Sequence, residues 1–317
     1  MRDGADDADI LSALTVKVGK REAYARDPYF LETWADATEV WGTRAVPMLR
    51  DIAVLILKPE TVVTRRMGAA LAFLRARGFV PLACEPVQYT RHINRAAWRY
   101  QYQTTDTPTA DRLAVNDLLL SATDSLALIL RDTAPVLGQA ASVRLNTFKG
   151  SMTPANRGGD DLNLRSLVAG PNRMMSGVHI PDEPADVVRE LGILFDRPER
   201  YALMQGLAAT DDATPAVEAA ITDLYARSAV VTLDPAAALA RLDAAVTARE
   251  RAGGGGDAIG AALGELRATV TAVQRGEPLP WHPFLAALAG AGIALPLWDR
   301  ILLGTEYIRH SAPTPFS

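Results

Sequence analysis

Residues 172–195 read NRMMSGVHIPDEPADVVRELGILF and decide how the middle of the chain folds. Met174 to Ile180 is a short apolar run with β-propensity, and the prolines and acids after it are typical of a strand that ends in a turn. Asp182 is predicted to cap a helix that begins at Pro184, because apolar residues then repeat at helical spacing. The stretch therefore predicts a strand, a tight turn and an amphipathic helix.

His179 lies at the end of the predicted strand, and Glu190 lies on the helix that follows. A carboxylate facing an imidazole can hold one ring nitrogen and leave the other free as a nucleophile. A single histidine near a strand end is usually a surface or packed residue, so this interpretation depends on other residues converging on it.

Composition limits the classes of function. A chain of 317 residues with 49% hydrophobic residues suggests two domains with ample core material. The net charge of -4 argues against a general binder of nucleic acid or of anionic membranes. Cys84 is the single cysteine, which excludes an internal disulfide and a cysteine-based zinc site and favours a reducing compartment. The acidic N-terminus is unlike a signal peptide and no apolar run reaches the length of a membrane span, so we expect a cytoplasmic protein.

The pattern upstream of His179 alternates strands and helices. The run IAVLIL after Asp51 predicts a buried strand that stops at Lys58. The further predicted elements are a helix ending at Gly78, a strand in VPLACEPVQY, helices near 91–101 and 108–122, a strand in SLALIL, a short helix at 134–140 and a turn-rich segment at 147–161.

This order, β-α-β-α-β-α-β, favours an α+β fold: a ferredoxin-like α/β sandwich with a four-stranded antiparallel sheet. Residues 1–50 are predicted as a helical N-terminal extension and residues 51–197 as the sandwich domain. Residues 198–317 are rich in Ala, Leu and Asp with helical periodicity, and they predict an all-helical C-terminal domain.

Several segments in this order resemble the nucleoside diphosphate kinase family over about residues 51–197. LKPETVVTRRMGAALAFLRARGF has the family's Lys-Pro-acid strand end and the Gly-Phe that closes the following helix. KGSMTPA resembles its glycine and Thr-Asn-Pro-Ala segment without the Asn, and HIPDEPADVVRELGILF matches its histidine block without a gap.

The resemblance implies a set of roles. His179 would be the phosphate-accepting nucleophile, Glu190 would orient its ring, and Lys58 would contact the transferred phosphoryl group. Nucleotide phosphates would be bound by Lys58, Thr153, Arg165 and, with a longer intervening loop, Arg144. The resemblance also implies Mg²⁺ bound through the nucleotide phosphates, no metal held by the protein itself, and a homo-oligomer.

Each role has a simpler reading. Lys58 can be a solvated lysine at a strand end, although the chain has only four lysines. The arginines are common in this chain, Lys149 can replace a phosphate contact or merely solvate its loop, and Glu190 can be an ordinary polar residue. Trp98, near a position where the family keeps a tyrosine, is interpreted as a packing residue.

Departures from the family lie close to the histidine. Ser176 stands on the sugar side, where the family has an asparagine three residues before the histidine, and Pro181 replaces a serine. The helical hairpin that would cover the base, around residues 98–122, is longer than in the family. The sequence of the segment 147–161 also differs from the family's. The phosphate half of the site is therefore better supported than the base and sugar half.

The function predicted from these residues is a phosphotransferase that moves the γ-phosphate of an NTP through a phosphohistidine to an acceptor, first of all a nucleoside diphosphate. One alternative is a specialised kinase with another small phosphate acceptor. Another is a catalytically retired nucleotide-binding or scaffold module. No nucleic-acid or membrane partner is expected.

Overall fold

The computed structural model describes residues 10–104, 109–157, 162–209, 211–253 and 256–311. Its strands are β1 (Ile52–Leu57), β2 (Phe79–Val87), β3 (Ser125–Asp132) and β4 (Val178–His179). Its helices are α1 (residues 10–14), α2 (Val18–Tyr24), α3 (Pro28–Trp41), α4 (Ala45–Asp51), α5 (Pro59–Val63), α6 (Met67–Ala76), α7 (Arg91–Ala97), α8 (Arg99–Thr104), α9 (Ala110–Leu120), α10 (Ala141–Thr147), α11 (Leu164–Val168), α12 (Pro184–Leu194), α13 (Arg197–Leu207), α14 (Thr214–Arg227), α15 (Pro235–Ala252), α16 (Asp257–Gln274), α17 (Trp281–Ala291) and α18 (Leu297–Tyr307). None of the helices in this part of the chain has both the length and the apolar character of a bilayer-spanning segment.

The four strands form one sheet in the order β2-β3-β1-β4, and neighbouring strands are antiparallel. β1 lies inside the sheet because all six of its side chains are apolar and buried. Each β-α-β crossover leaves room for one strand between its two strands, as in ferredoxin-like folds. The predicted ferredoxin-like sandwich is confirmed. The described residues after 197 contain helices and no strand element, as the predicted helical region requires.

Hydrophobic clusters cover the two faces of the sheet, because successive strand side chains point to opposite faces. Val54 and Ile56 join a first cluster with α3, α12 and α13. Leu55 and Leu57 join a second cluster with α6, α11 and α14. A third cluster is formed by α15–α18 together with α9 and Met175. The predicted boundary at residue 198 stays a prediction, since α13 and α14 pack on the sheet, whereas α15–α18 belong to the third cluster.

Three local expectations are corrected. The short helix expected at residues 134–140 lies at α10, because residues 134–140 form turns that include Gly138 with a φ of 79°. The strand expected from Met174 is only the two residues of β4, because Gly177 turns the chain with a φ of 75°.

The predicted cap of α12 is also wrong by one residue. Glu183, not Asp182, is the N-cap residue, and its backbone N–H donates to Asp186 Oδ2 at 3.0 Å. The Glu183 carboxylate accepts from the Thr15 hydroxyl at 2.8 Å and from Val16 N at 3.1 Å. These contacts come from the far N-terminal region, so local spacing does not reveal them.

Buried charges bind the N-terminal helices to α12. Asp27 caps α3 by accepting from Phe30 N, and its second oxygen accepts from Arg189 Nε at 2.9 Å. The Arg189 and Asp27 side chains are 3% and 0% exposed. Arg189 Nη2 also donates to Ala96 O at 2.6 Å, which fixes the end of α7 against α12.

We therefore expect Arg189→Met to lower the free energy of unfolding by roughly 3 to 5 kcal/mol, since the Asp27 carboxylate would remain buried without its partner. Urea unfolding followed by circular dichroism measures the change. The matched control is Arg227→Met, which removes an exposed arginine paired with Asp223 and Asp124 and should unfold close to wild type. Equal losses in the two variants would contradict this account of the Arg189 pair.

Candidate functional site

His179 and Glu190 form the centre of the candidate site. β4 pairs His179 with Ile56 of β1, and α12 carries Glu190 back toward the strand. The imidazole Nε2 lies 2.8 Å from both carboxylate oxygens. An ionised carboxylate only accepts hydrogen bonds, so Nε2 carries the proton and a neutral ring has its lone pair on Nδ1.

Trp98 limits the orientation of this imidazole. The two ring centroids are 5.2 Å apart with an interplanar angle of 63°, an edge-on contact. The ring of Tyr89 also packs against Trp98, with a centroid distance of 6.3 Å, and burial together with the Glu190 charge raises the Tyr89 pKa above its usual range. Trp98 therefore packs, as predicted, but it packs against the histidine itself.

Lys58 lies at the end of β1, beside the loop that precedes His179. Its backbone N–H donates to Gly177 O at 3.0 Å. Its Nζ lies 2.9 Å from Met174 O, 3.3 Å from Ser176 Oγ and 3.0 Å from Glu60 Oε1. An ammonium has three donors, so these contacts engage all of them, and the one to Ser176 is the longest.

Lys149 is a second cation near His179. Its Nζ donates to Ile180 O and to Asn146 Oδ1, each at 3.1 Å. Burial lowers the pKa of Lys149, the Asp182 carboxylate opposes this, and the Arg165 charge adds to it. The Glu190 charge also opposes the lowering of the Lys149 pKa.

Arg165 is almost fully buried and carries an unpaired donor. Its Nη1 donates to Gly150 O at 2.9 Å, whereas its Nε has no hydrogen-bond partner within the described ranges. Burial, with the charge of Arg157, lowers the Arg165 pKa to about 10. A buried cation with a spare donor beside two other cations is suited to an anionic ligand.

Arg157 is a structural residue that sequence reasoning missed. Its guanidinium donates to the carbonyls of Ser151, Met152, Gly170 and Asn172. It thereby joins the loop that contains Thr153 to the loop before His179. Nothing in the sequence separates it from the many other arginines of this chain.

The remaining predicted residues are placed differently. Thr153 is half-buried at the start of a short 3-10 turn, and its loop reaches the histidine loop through Arg157. Arg144 is held by Asp132 Oδ1 and Arg77 O, each at 2.6 Å, and lies over the ring of Phe79. The structure thus pairs Lys58 with Ser176 and His179 with Glu190, at the two ends of the segment 176–179. It does not bring Arg144 to them.

The donor set fits an anion better than a bare metal ion. No group of three or more His, Cys, Asp or Glu side chains that could hold a metal occurs in the ranges that the structure describes. Glu60 is engaged by Lys58 and by Gly177 N, and Glu190 is engaged by His179.

No protein-family model and no curated protein matches this chain. Solved structures similar to it include three nucleoside diphosphate kinase structures. That from Aquifex aeolicus is 17% identical, with a TM-score of 0.38, and the match covers 46% of this chain and 95% of that one. A nucleoside diphosphate kinase family protein from Babesia bovis is 16% identical, with a TM-score of 0.36 and coverage of 47% and 90%. The enzyme from Encephalitozoon cuniculi is 13% identical, with a TM-score of 0.34 and coverage of 45% and 87%. At these values the chemistry has to be argued from the geometry of this chain.

The His179 contact predicts a definite tautomer. In a protein with ¹⁵N-labelled histidine, long-range ¹H–¹⁵N spectra should show neutral His179 protonated at Nε2, and Glu190→Ala should give a mixture of tautomers because Nε2 loses its acceptor. His179→Gln assigns the signals among the four histidines. A wild-type ring protonated at Nδ1 would show that Glu190 does not orient it as described.

Proposed function

We propose that the protein is a phosphotransferase in which His179 Nδ1 takes the γ-phosphoryl group of a nucleoside triphosphate and passes it to a second acceptor. The observation that carries this proposal is the contact of His179 Nε2 with both oxygens of Glu190. The loop and turn that flank His179 carry the contacts of Lys58 with Ser176 and of Lys149 with Ile180 O. Glu190 fixes the ring and stabilises the positive charge that develops on it, which leaves Nδ1 as the nucleophile.

In the proposed first step, Nδ1 attacks the γ-phosphorus, an N–P bond forms, and the bond from phosphorus to the β-γ bridging oxygen breaks. The nucleoside diphosphate leaves with that oxygen. In the second step an acceptor oxygen attacks the phosphorus, an O–P bond forms, the N–P bond breaks and its electron pair returns to Nδ1, which restores the neutral ring. Such transfer needs positioning and compensation of charge more than covalent chemistry from the protein.

The cations have distinct parts in this proposal. Lys58 would contact the transferred phosphoryl group by exchanging its long contact to Ser176 for a phosphoryl oxygen. The Arg165 guanidinium and the Thr153 hydroxyl would hold the nucleotide phosphates, with Lys149 adding positive charge beside Ile180. Arg144 takes no part as long as Asp132 and the Arg77 carbonyl hold it.

Mg²⁺ would enter with the nucleotide, bound through its phosphates, and would neutralise part of their charge. Lys58, Lys149 and Arg165 would supply the protein's own positive charge to the phosphates. The proposal includes a homo-oligomer only because the family resemblance implies one.

One observation favours a second candidate, a specialised kinase whose acceptor is not a standard nucleoside diphosphate. Ser176 replaces the asparagine expected on the sugar side, and the nearby Asn172 does not substitute for it. The Asn172 amide is already bonded to Met174 N, Met175 N and the side chains of Thr305 and Glu306.

The central experiment is incubation with γ-labelled ATP and Mg²⁺. We expect a phosphoprotein that is labile in acid and stable in alkali, and we expect His179→Gln to abolish it while the fold is kept. His282→Gln is the matched control, because His282 Nδ1 also pairs with a carboxylate, Asp111, at 2.7 Å but is exposed. Labelling of His179→Gln at the wild-type level would refute the assignment, and an unlabelled wild type would favour the retired nucleotide-binding module.

The second candidate predicts unequal half-reactions. A missing hydrogen-bond partner for the acceptor typically costs about 1 to 3 kcal/mol, so return of the phosphoryl group to GDP or CDP should be slower than loading by ATP. Stopped-flow measurement of both steps tests this. Equal rates would support a plain nucleoside diphosphate kinase activity.

A further inference from the structure

We infer that the C-terminal helix α18 is a working part of the phosphate site, because it positions Lys58 through the side chain of Asn172. Asn172 is thereby a positioning residue. The inference rests on the proposed function for its kinetic consequences and on geometry for its structural ones.

The Asn172 amide makes contacts in two directions. Its Nδ2 donates to Thr305 Oγ1 at 3.0 Å and to Glu306 Oε2 at 3.1 Å, both on α18. Its Oδ1 accepts from Met174 N and Met175 N, each at 3.1 Å. An amide can donate on one side and accept on the other, so Asn172 fixes the loop backbone relative to α18.

The loop backbone in turn holds the lysine. Met174 O accepts from Lys58 Nζ at 2.9 Å, shorter than the contact of that nitrogen with Ser176. The ends of this loop are fixed without α18, by the bond within the loop from Gly170 N to Met175 O and by the bond from Gly177 N to Glu60 Oε1. At the apex, Arg157 holds the backbone carbonyl of Asn172, and α18 holds the Asn172 side chain that positions Met174 N and Met175 N.

Side-chain packing also connects α18 to the loop before His179. The Met175 side chain is fully buried in the third cluster, among residues of α18 and α9. Gly304 of α18 lies so close to α9 that an added Cβ would come within 2.8 Å of Val115. Displacement of α18 would therefore move the loop apex and the carbonyl that Lys58 donates to.

The test uses Thr305→Val, which keeps the shape of the side chain and removes the acceptor for Asn172. Glu306→Ala is a second variant, and because Glu306 is exposed its loss should leave folding intact. Thr271→Val is the matched control, since Thr271 also bonds to its own helix, at Arg267 O, but lies on α16.

The structural readout is the ammonium signal of Lys58 in ¹⁵N-lysine-labelled protein, assigned among the four lysines by its loss in Lys58→Arg. The kinetic readout is single-turnover phosphorylation of His179. We expect Thr305→Val to shift the Lys58 signal and to slow phosphorylation at saturating ATP about tenfold or more, with half-saturating ATP unchanged. Glu306→Ala should shift the Lys58 signal and slow phosphorylation in the same direction as Thr305→Val, but by a smaller amount. Thr271→Val should change neither the Lys58 signal nor the phosphorylation rate.

A Lys58 signal and a phosphorylation rate equal to wild type in both α18 variants overturn the inference, and so does an equal loss in Thr271→Val. If the wild type is not phosphorylated at all, the proposed function fails, and the Lys58 signal alone decides whether α18 positions the lysine.

Discussion

The pairing of β4 with the end of β1 is the contact on which the site depends. It consists of Ile56 with His179 and Leu57 with Val178, and Lys58 N extends it by bonding to Gly177 O. A slip of one residue would turn the histidine to the other face of the sheet. Gly177 protects the register, because its φ is positive and an added Cβ would lie 2.8 Å from the Val168 carbonyl.

Buried charge is distributed around this contact in pairs. Lys58 with Glu60 and Arg189 with Asp27 are almost completely buried, and each pair is supplemented by bonds to backbone carbonyls. Such bonds offset the desolvation that buried ions carry. The compensation is incomplete, since Glu60 Oε2, Arg165 Nε and Arg300 Nε have no hydrogen-bond partner among the described residues, and such a group typically costs about 1 to 3 kcal/mol. Arg165 differs from the other two because it follows the Lys149 loop, through Arg165 N to Lys149 O and Arg165 Nη1 to Gly150 O.

Sequence reasoning reached the parts that local pattern controls. IAVLIL predicts an inner strand because both faces of β1 are buried, and the turn after His179 predicts a helix that brings Glu190 back. It failed where contacts between distant chain segments determine the position of a residue. Arg157 looks like any other arginine, and the bonds of Asn172 to α18 join residues more than a hundred positions apart. The place of Arg144 depends on Asp132, whose pairing a family pattern does not show.

The two added helical regions support different halves of the site. The N-terminal helices hold α12 through Asp27 and Arg189, and α12 carries Glu190, so this contact fixes the acid that orients the histidine. The C-terminal helix α18 holds the loop apex at the Asn172 side chain. Two residues later in the same loop, the backbone carbonyl of Met174 accepts from Lys58 Nζ. A strand of two residues cannot by itself fix the His179 ring and the Lys58 ammonium to the precision that positioned functional groups need. In this chain that precision is supplied from outside the sheet, by helices that contact the carboxylate side and the lysine side separately.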